Sequence, residues 1–178
     1  MRYLRRGVWY VAGRLFLICL ILGISITVFY YAMNLSNIQI ILKDGMAARA
    51  KTVMGMETDP EILYRYFHRA EPATDEMLQL ALAGNSDYAA YNVRGIDHRL
   101  EMGFLWIWPW ENAARLTIEE RIPRIDGRVK GTRADEMIAQ KGSGAVYPPA
   151  WPDARYRVSL VRENGQWKIR ELTRLGAQ

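Results

Sequence analysis

The chain has 178 residues, half of them hydrophobic and 24% charged, with a formal net charge of +5. That length suits one domain, and six Trp, ten Tyr and four Phe exclude a wholly disordered chain. The pI near 9.4 invites a nucleic-acid reading, but the charge is localised: residues 1–14 carry Arg2, Arg5, Arg6 and Arg14 without an acid, so the remaining residues are almost neutral.

Residues 15–33 read LFLICLILGISITVFYYAM and contain no charge. As a helix they span roughly 28 Å, close to the hydrocarbon core of a bilayer. We expect an uncleaved membrane anchor built on Leu15, Phe16, Leu17, Ile18, Leu20, Ile21, Leu22, Ile24, Ile26, Val28 and Phe29. Thr27 and Ser25 are tolerable there because a hydroxyl can bond back to the preceding turn. Trp9, Tyr10, Tyr30 and Tyr31 flank the run as interfacial aromatic residues do. A signal peptide fits less well, because the run is long and ends in Tyr30-Tyr31-Ala32 without a small-x-small cleavage pair. The four arginines place the tail in the cytoplasm by the positive-inside rule, and everything after the span outside.

The expected organisation is a cytoplasmic tail over 1–14, the span over 15–33, a linker over 34–44 with a polar joint at Asn34-Leu35-Ser36-Asn37, and an extracytoplasmic domain over 45–178. Cys19 is the only cysteine and lies in the span, so the domain has no disulfide and no thiol chemistry. About 135 residues suffice for a core without one.

Residues 38–56 have helical apolar spacing, with Gly45 as a weak point. Asp59-Pro60-Glu61 opens a helix carrying Ile62, Leu63, Tyr66 and Phe67, and Thr74-Asp75-Glu76 opens another that Gly84 ends. From Ser86 the pattern alternates. A long strand is expected over 97–110 and a second over 113–125, followed by a turn at Asp126-Gly127. A short helix is expected over 133–140. The last two strands flank Glu163-Asn164-Gly165-Gln166, where Asn-Gly is a strong hairpin signal.

Helices followed by mostly antiparallel strands imply an α+β domain with helices packed on one face of a curved sheet. The closing segment YRVSLVRENGQWKIREL resembles the final hairpin of nuclear transport factor 2-like domains, with NGQWKI as its nearest motif. That resemblance covers roughly 45–175 and implies a cone-shaped sheet. The layout of tail, span and outer domain also resembles bitopic assembly factors of bacterial type IV secretion and conjugation systems. It implies a non-catalytic scaffold or interaction module of an envelope, secretion or spore-membrane assembly, in which a protein partner or self-association is expected.

The residues expected to form partner surfaces are the aromatic stretch Phe104, Trp106, Trp108 and Trp110 and the basic stretch Arg121, Arg124, Arg128, Lys130 and Arg133. The aromatic stretch is apolar on both alternating faces through Leu105 and Ile107, so three readings stand open: a covered central strand, a pairing surface or a tip dipping into headgroups. Glu57, Asp59, Glu61, Glu71, Asp75 and Glu76 form an opposing acidic group. The resemblance also implies an alternative, a small-molecule-binding or isomerase-like pocket inside the cone, for which Asp97, His98 and Glu101 are the candidates. Strand alternation sends Asp97 and Glu101 to one side and His98 to the other. No cofactor, metal ligand set, phosphate loop or nucleic-acid motif is recognisable.

Overall fold

A computed structural model describes residues 2–131, 138–139 and 142–176. Helix α1 (Arg2–Val53) is one uninterrupted helix of 52 residues. Its apolar first part, residues 9–26, is exposed throughout, so one helix is long and apolar enough to cross a membrane. Thr27 Oγ1 donates to Gly23 O at 2.9 Å, which satisfies its hydroxyl within the helix.

The lower half of α1 belongs to the domain. Ile38, Leu42, Met46, Ala50 and Val53 recur every three or four residues, and all are buried. The expected joint at 34–37 is therefore helix, and so is the whole stretch assigned to a linker. Asn34 is itself 4% exposed and donates through Nδ2 to Pro109 O at 3.3 Å. Gly45 is a notch rather than a weak point. A Cβ there would meet Ile169 Cδ1 and Tyr66 Cβ, both at 3.0 Å, so the glycine lets the last strand and Tyr66 close on the helix.

A 3-10 turn (Pro60–Arg65) follows, with Asp59 accepting from Glu61 N at 2.9 Å. Then come α2 (Glu71–Thr74) and α3 (Glu76–Leu82), the latter capped by Asp75 and ended before Gly84, whose φ is 75°. The sheet is antiparallel in chain order: β1 (Tyr91–Met102), β2 (Ala113–Val129), β3 (Ala154–Glu163) and β4 (Gln166–Leu175). Asn164 and Gly165 have φ of 50° and 82°, the left-handed pair that a tight β3–β4 hairpin needs. Phe67 bridges Ile169, which ties the 3-10 turn segment to the free edge of β4.

One face of this sheet is the core. Leu116, Ile118, Ile122, Val158, Leu160, Trp167 and Ile169 face α1, Leu63, Phe67 and Leu78. Each such side chain contributes about 1.5–3 kcal/mol on burial, so this packing holds the lower half of α1 in place. The architecture is thus α+β, as expected.

Two expected elements differ. The strand assigned to 97–110 ends at Met102, where Gly103 N donates the last ladder bond to Thr117 O at 2.9 Å. Pro109 has no N–H and the indoles at 106, 108 and 110 turn outward, so residues 103–112 form a loop. Asp126-Gly127 is not a turn but part of β2. A Cβ on Gly127 would lie 2.9 Å from Asn92 O and 3.0 Å from Val93 Cα, so the glycine serves close strand approach. The helix expected over 133–140, and Arg133 with it, lie outside the described residues apart from 138–139.

Candidate functional site

The interior is not purely apolar. Arg49, on the core-facing side of α1, has a side chain only 3% exposed. Its Nε donates to Asp75 Oδ2 at 2.5 Å and its Nη2 to Asp75 Oδ1 at 3.3 Å, a two-point fork. Asp75 also accepts from Met77 N and Leu78 N, so one carboxylate caps α3 and holds α1. On the other side, Arg49 Nη1 lies 3.6 Å from Glu120 Oε2, and the guanidinium sits 5.8 Å and 5.6 Å from the rings of Trp151 and Tyr156.

Glu120 is fully buried in β2. It accepts from Trp151 Nε1 at 3.2 Å and lies 3.0 Å from His98 Nε2 on β1. Burial alone would lower the Arg49 pKa, but Asp75, then Tyr156 and Glu120, overcome it and hold the guanidinium above its ordinary value. Glu71 lies at the rim. Burial, reinforced by Asp75 and opposed by Arg49, pushes its carboxyl up to about 7. Its Oε2 and Arg49 Nη1 make no hydrogen bond. Burial likewise raises the Tyr156 hydroxyl, with Arg49 opposing.

A cleft of about 200 Å³ opens beside Arg49, Glu71, Asp75 and Tyr156. Small-molecule sites are usually clefts of roughly 300–1,000 Å³, so this one is sized for a ligand of few heavy atoms. A larger hollow of about 520 Å³ lies among Asn92, Arg94, Asp126, Arg128 and Lys130, and its lining is mostly polar. Among the described residues, no group of three or more His, Cys, Asp or Glu is arranged to hold a metal ion.

The three residues of the expected pocket are not brought together. His98 faces inward with its side chain 7% exposed, while Asp97 faces outward and accepts from Arg99 Nη2 at 2.7 Å. Glu101 is exposed near Thr117 and Arg155 on the outer face. His68 pairs with Glu163 at 3.3 Å.

The two expected partner surfaces are separate: the aromatic stretch lies at one end of the sheet, and the described part of the basic stretch runs from the middle of β2 to its far end. Phe104, Trp106, Trp108 and Trp110 sit beside the start of β2, and Arg128 and Lys130 sit at its other end, roughly 50 Å along the strand. Arg121 lies 3.3 Å from Glu119, Arg124 is opposite Asp97, and Lys130 Nζ donates to Ala89 O at 2.8 Å. The acidic group is also divided, because Glu71 and Asp75 belong to the buried cluster and not to the surface.

The cluster itself has one sequence signal. Glu120 falls on the inward side of the alternation Ala114, Leu116, Ile118, Glu120, Ile122, where a carboxylate requires a buried partner. Compared with family models, curated proteins and solved structures, the chain matches none of them.

Proposed function

We propose that the chain is a single-pass membrane protein, its N-terminal tail cytoplasmic and its domain outside, and that the domain is a non-catalytic scaffold of nuclear transport factor 2-like type within a bacterial envelope, secretion or spore-membrane assembly. The observation that carries this reading is the one-sided sheet. Helices cover one face, while the other presents Arg99, Arg115, Arg121, Arg155 and Arg157 with Glu101 and Glu119 between them. Glu119 is already engaged by Arg155 at 2.7 Å and Arg121 at 3.3 Å, and Asp97 by Arg99 at 2.7 Å, so among the described residues Arg115 and Arg157 are the cations of this face left to meet a partner rich in carboxylates. The interior acids, by contrast, are turned toward Arg49, where they hold helix and sheet together.

The test is site-specific photo-crosslinking from Arg157 in native membranes. One discrete protein adduct is expected, and it should disappear when Arg115 and Arg121 are changed to Glu in a chain that still folds. Lipid adducts alone, or an adduct indifferent to those charges, would refute the scaffold reading. Impermeant labelling of Arg157→Cys from outside checks the orientation.

A second reading, a small-ligand pocket, draws on Glu71 Oε2 and Arg49 Nη1, neither of which makes a hydrogen bond at the cleft. Under it, a small molecule copurifies with the chain and is lost in Glu71→Gln, whereas Asp97→Ala and Glu101→Ala leave it bound.

A further inference from the structure

The β1–β2 loop ends on the membrane side of the domain, and two hydrogen bonds fix it to α1. Tyr31 Oη donates to Leu105 O at 3.1 Å, and Asn34 Nδ2 donates to Pro109 O at 3.3 Å. Tyr31 stands two residues inside the end of the apolar run and Asn34 one residue beyond it, which brackets the boundary within roughly 5 Å of helix rise. Both loop carbonyls are therefore held at the level where the apolar helix surface ends.

The loop sorts its side chains by face. Leu105 and Ile107 are 7% and 1% exposed and key the loop into the core, whereas Phe104, Trp106 and Trp110 are 87%, 58% and 69% exposed. The indoles form a continuous ladder outward from the helix. Tyr31 meets Trp106 at 5.1 Å between centroids, Trp106 meets Trp108 edge-on at 5.5 Å, and Trp108 stacks on Trp110 at 5.1 Å and 10°. An exposed row of indoles starting from the last turn of a span matches the amphipathic chemistry of the headgroup region. In water the same row would be a large apolar patch.

We propose that this loop is a second membrane contact, with Phe104, Trp106, Trp108 and Trp110 seated in the outer headgroup and upper acyl region of the bilayer that α1 crosses. The occupant is lipid because the patch is continuous with the exposed apolar surface of α1 through Tyr31. With two contacts, the helix and the loop, the domain is clamped at one orientation, and the open sheet face is presented at a set angle. This inference rests on α1 being a membrane span.

The experiment uses nitroxide-labelled single-cysteine chains reconstituted in phosphatidylcholine vesicles: native Cys19, and Phe104→Cys and Arg157→Cys in a Cys19→Ser background. The ratio of collision with oxygen to collision with a polar nickel chelate reports depth. A label at 104 is expected to give a ratio several-fold above that at 157 and below that at 19. A ratio at 104 equal to that at 157 would place the loop in water, and low collision with both reagents would place it against protein; either result overturns the proposal. A water-like ratio at Cys19 would instead remove the span itself. Because Phe104→Cys replaces one of the aromatic residues, quenching of the native indole emission by lipids nitroxide-labelled high on the acyl chain gives an independent readout. In a Trp9→Phe background, which removes the indole at the other interface, that quenching is expected to fall several-fold in Trp106→Phe/Trp108→Phe/Trp110→Phe, and an unchanged value would again overturn the proposal.

Discussion

Replacing Arg49 by Met keeps the unbranched apolar stem but ends short of the guanidinium carbon, so it removes both the fork and that carbon's contacts with the rings of Trp151 and Tyr156. Two carboxylates lose their cation: Asp75, which then retains Met77 N and Leu78 N, and Glu120, which retains Trp151 Nε1 and its contact with His98. Breaking a buried pair by removing one partner costs about 3–5 kcal/mol. Since each carboxylate keeps two neighbours, the lower end applies, a loss of about 3 kcal/mol. For a domain of this size that is a fall of roughly 10–15 °C in Tm. Thermal unfolding of the full chain in lipid nanodiscs, followed by near-ultraviolet circular dichroism, measures it. Arg49→Lys should fall between, because an ammonium cannot form the fork. In Arg49→Met/Glu120→Gln the losses should add up to less than the sum of the two singles, since Glu120 then carries no charge to leave unpaired. A loss below about 1 kcal/mol, the size of an exposed ion pair, would refute the reasoning, because it would mean that water already solvates the cluster.

Three other outcomes follow from the geometry. The folded chain holds the Glu71 proton up to about 7 while the unfolded chain releases it near 4.5, so this group's stabilisation is complete below 4.5 and declines as the pH rises toward 7. The decline is about 3 kcal/mol, and Glu71→Gln should abolish it and exceed the wild type in urea midpoint at pH 8. Gly127→Ala, whose Cβ meets backbone of β1, should destabilise by about 1–3 kcal/mol in the same assay, whereas a neutral result would place the strands further apart. Inserting two alanines after Met33 turns the apolar part of α1 by about 200° relative to the domain, so Tyr31 leaves Trp106 and the indole emission should shift to the red.

The elements with a strict local code were legible. The apolar run, the Asp75 cap, Gly84 and the Asn164-Gly165 hairpin each depend on neighbours within a few residues, and each stands where the pattern placed it. Boundaries that depend on distant partners were not. Nothing in Asn34-Leu35-Ser36-Asn37 shows that Asn34 meets Pro109, 75 residues away, so a polar stretch reads as a joint when it is a helix turn against a loop. Asp-Gly reads as a turn unless Val93 is known to lie across from it. Alternation through Trp106 and Trp108 reads as strand, because it records which side chains face the core and not whether a ladder continues. The buried cluster joins α1, the start of α3, β1 and β2. Arg49, Glu71 and Asp75 each look solvated alone, and only Glu120, a carboxylate among inward-facing aliphatics, signals the arrangement.

Under the proposed function, the continuity of α1 decides what kind of anchor it makes. A flexible tether would let the domain sample every orientation above the membrane, and the bare sheet face would then meet a partner from any direction. Here the residues that follow the span, Ile38, Leu42 and Met46, are wholly buried among the sheet's aliphatics. The helix cannot swing at its outer end without leaving the core, at a cost of several buried side chains of about 1.5–3 kcal/mol each. Arg49 adds a polar lock at the far end of the same helix, since Asp75 and Glu120 hold it from α3 and from β2. Tilt and rotation of the apolar half of α1 are therefore transmitted to the sheet as rigid motion. Under the proposed function, a partner gripping Arg115 and Arg157 on the open face would act on the apolar half of α1 directly, and the buried ions would stiffen that coupling.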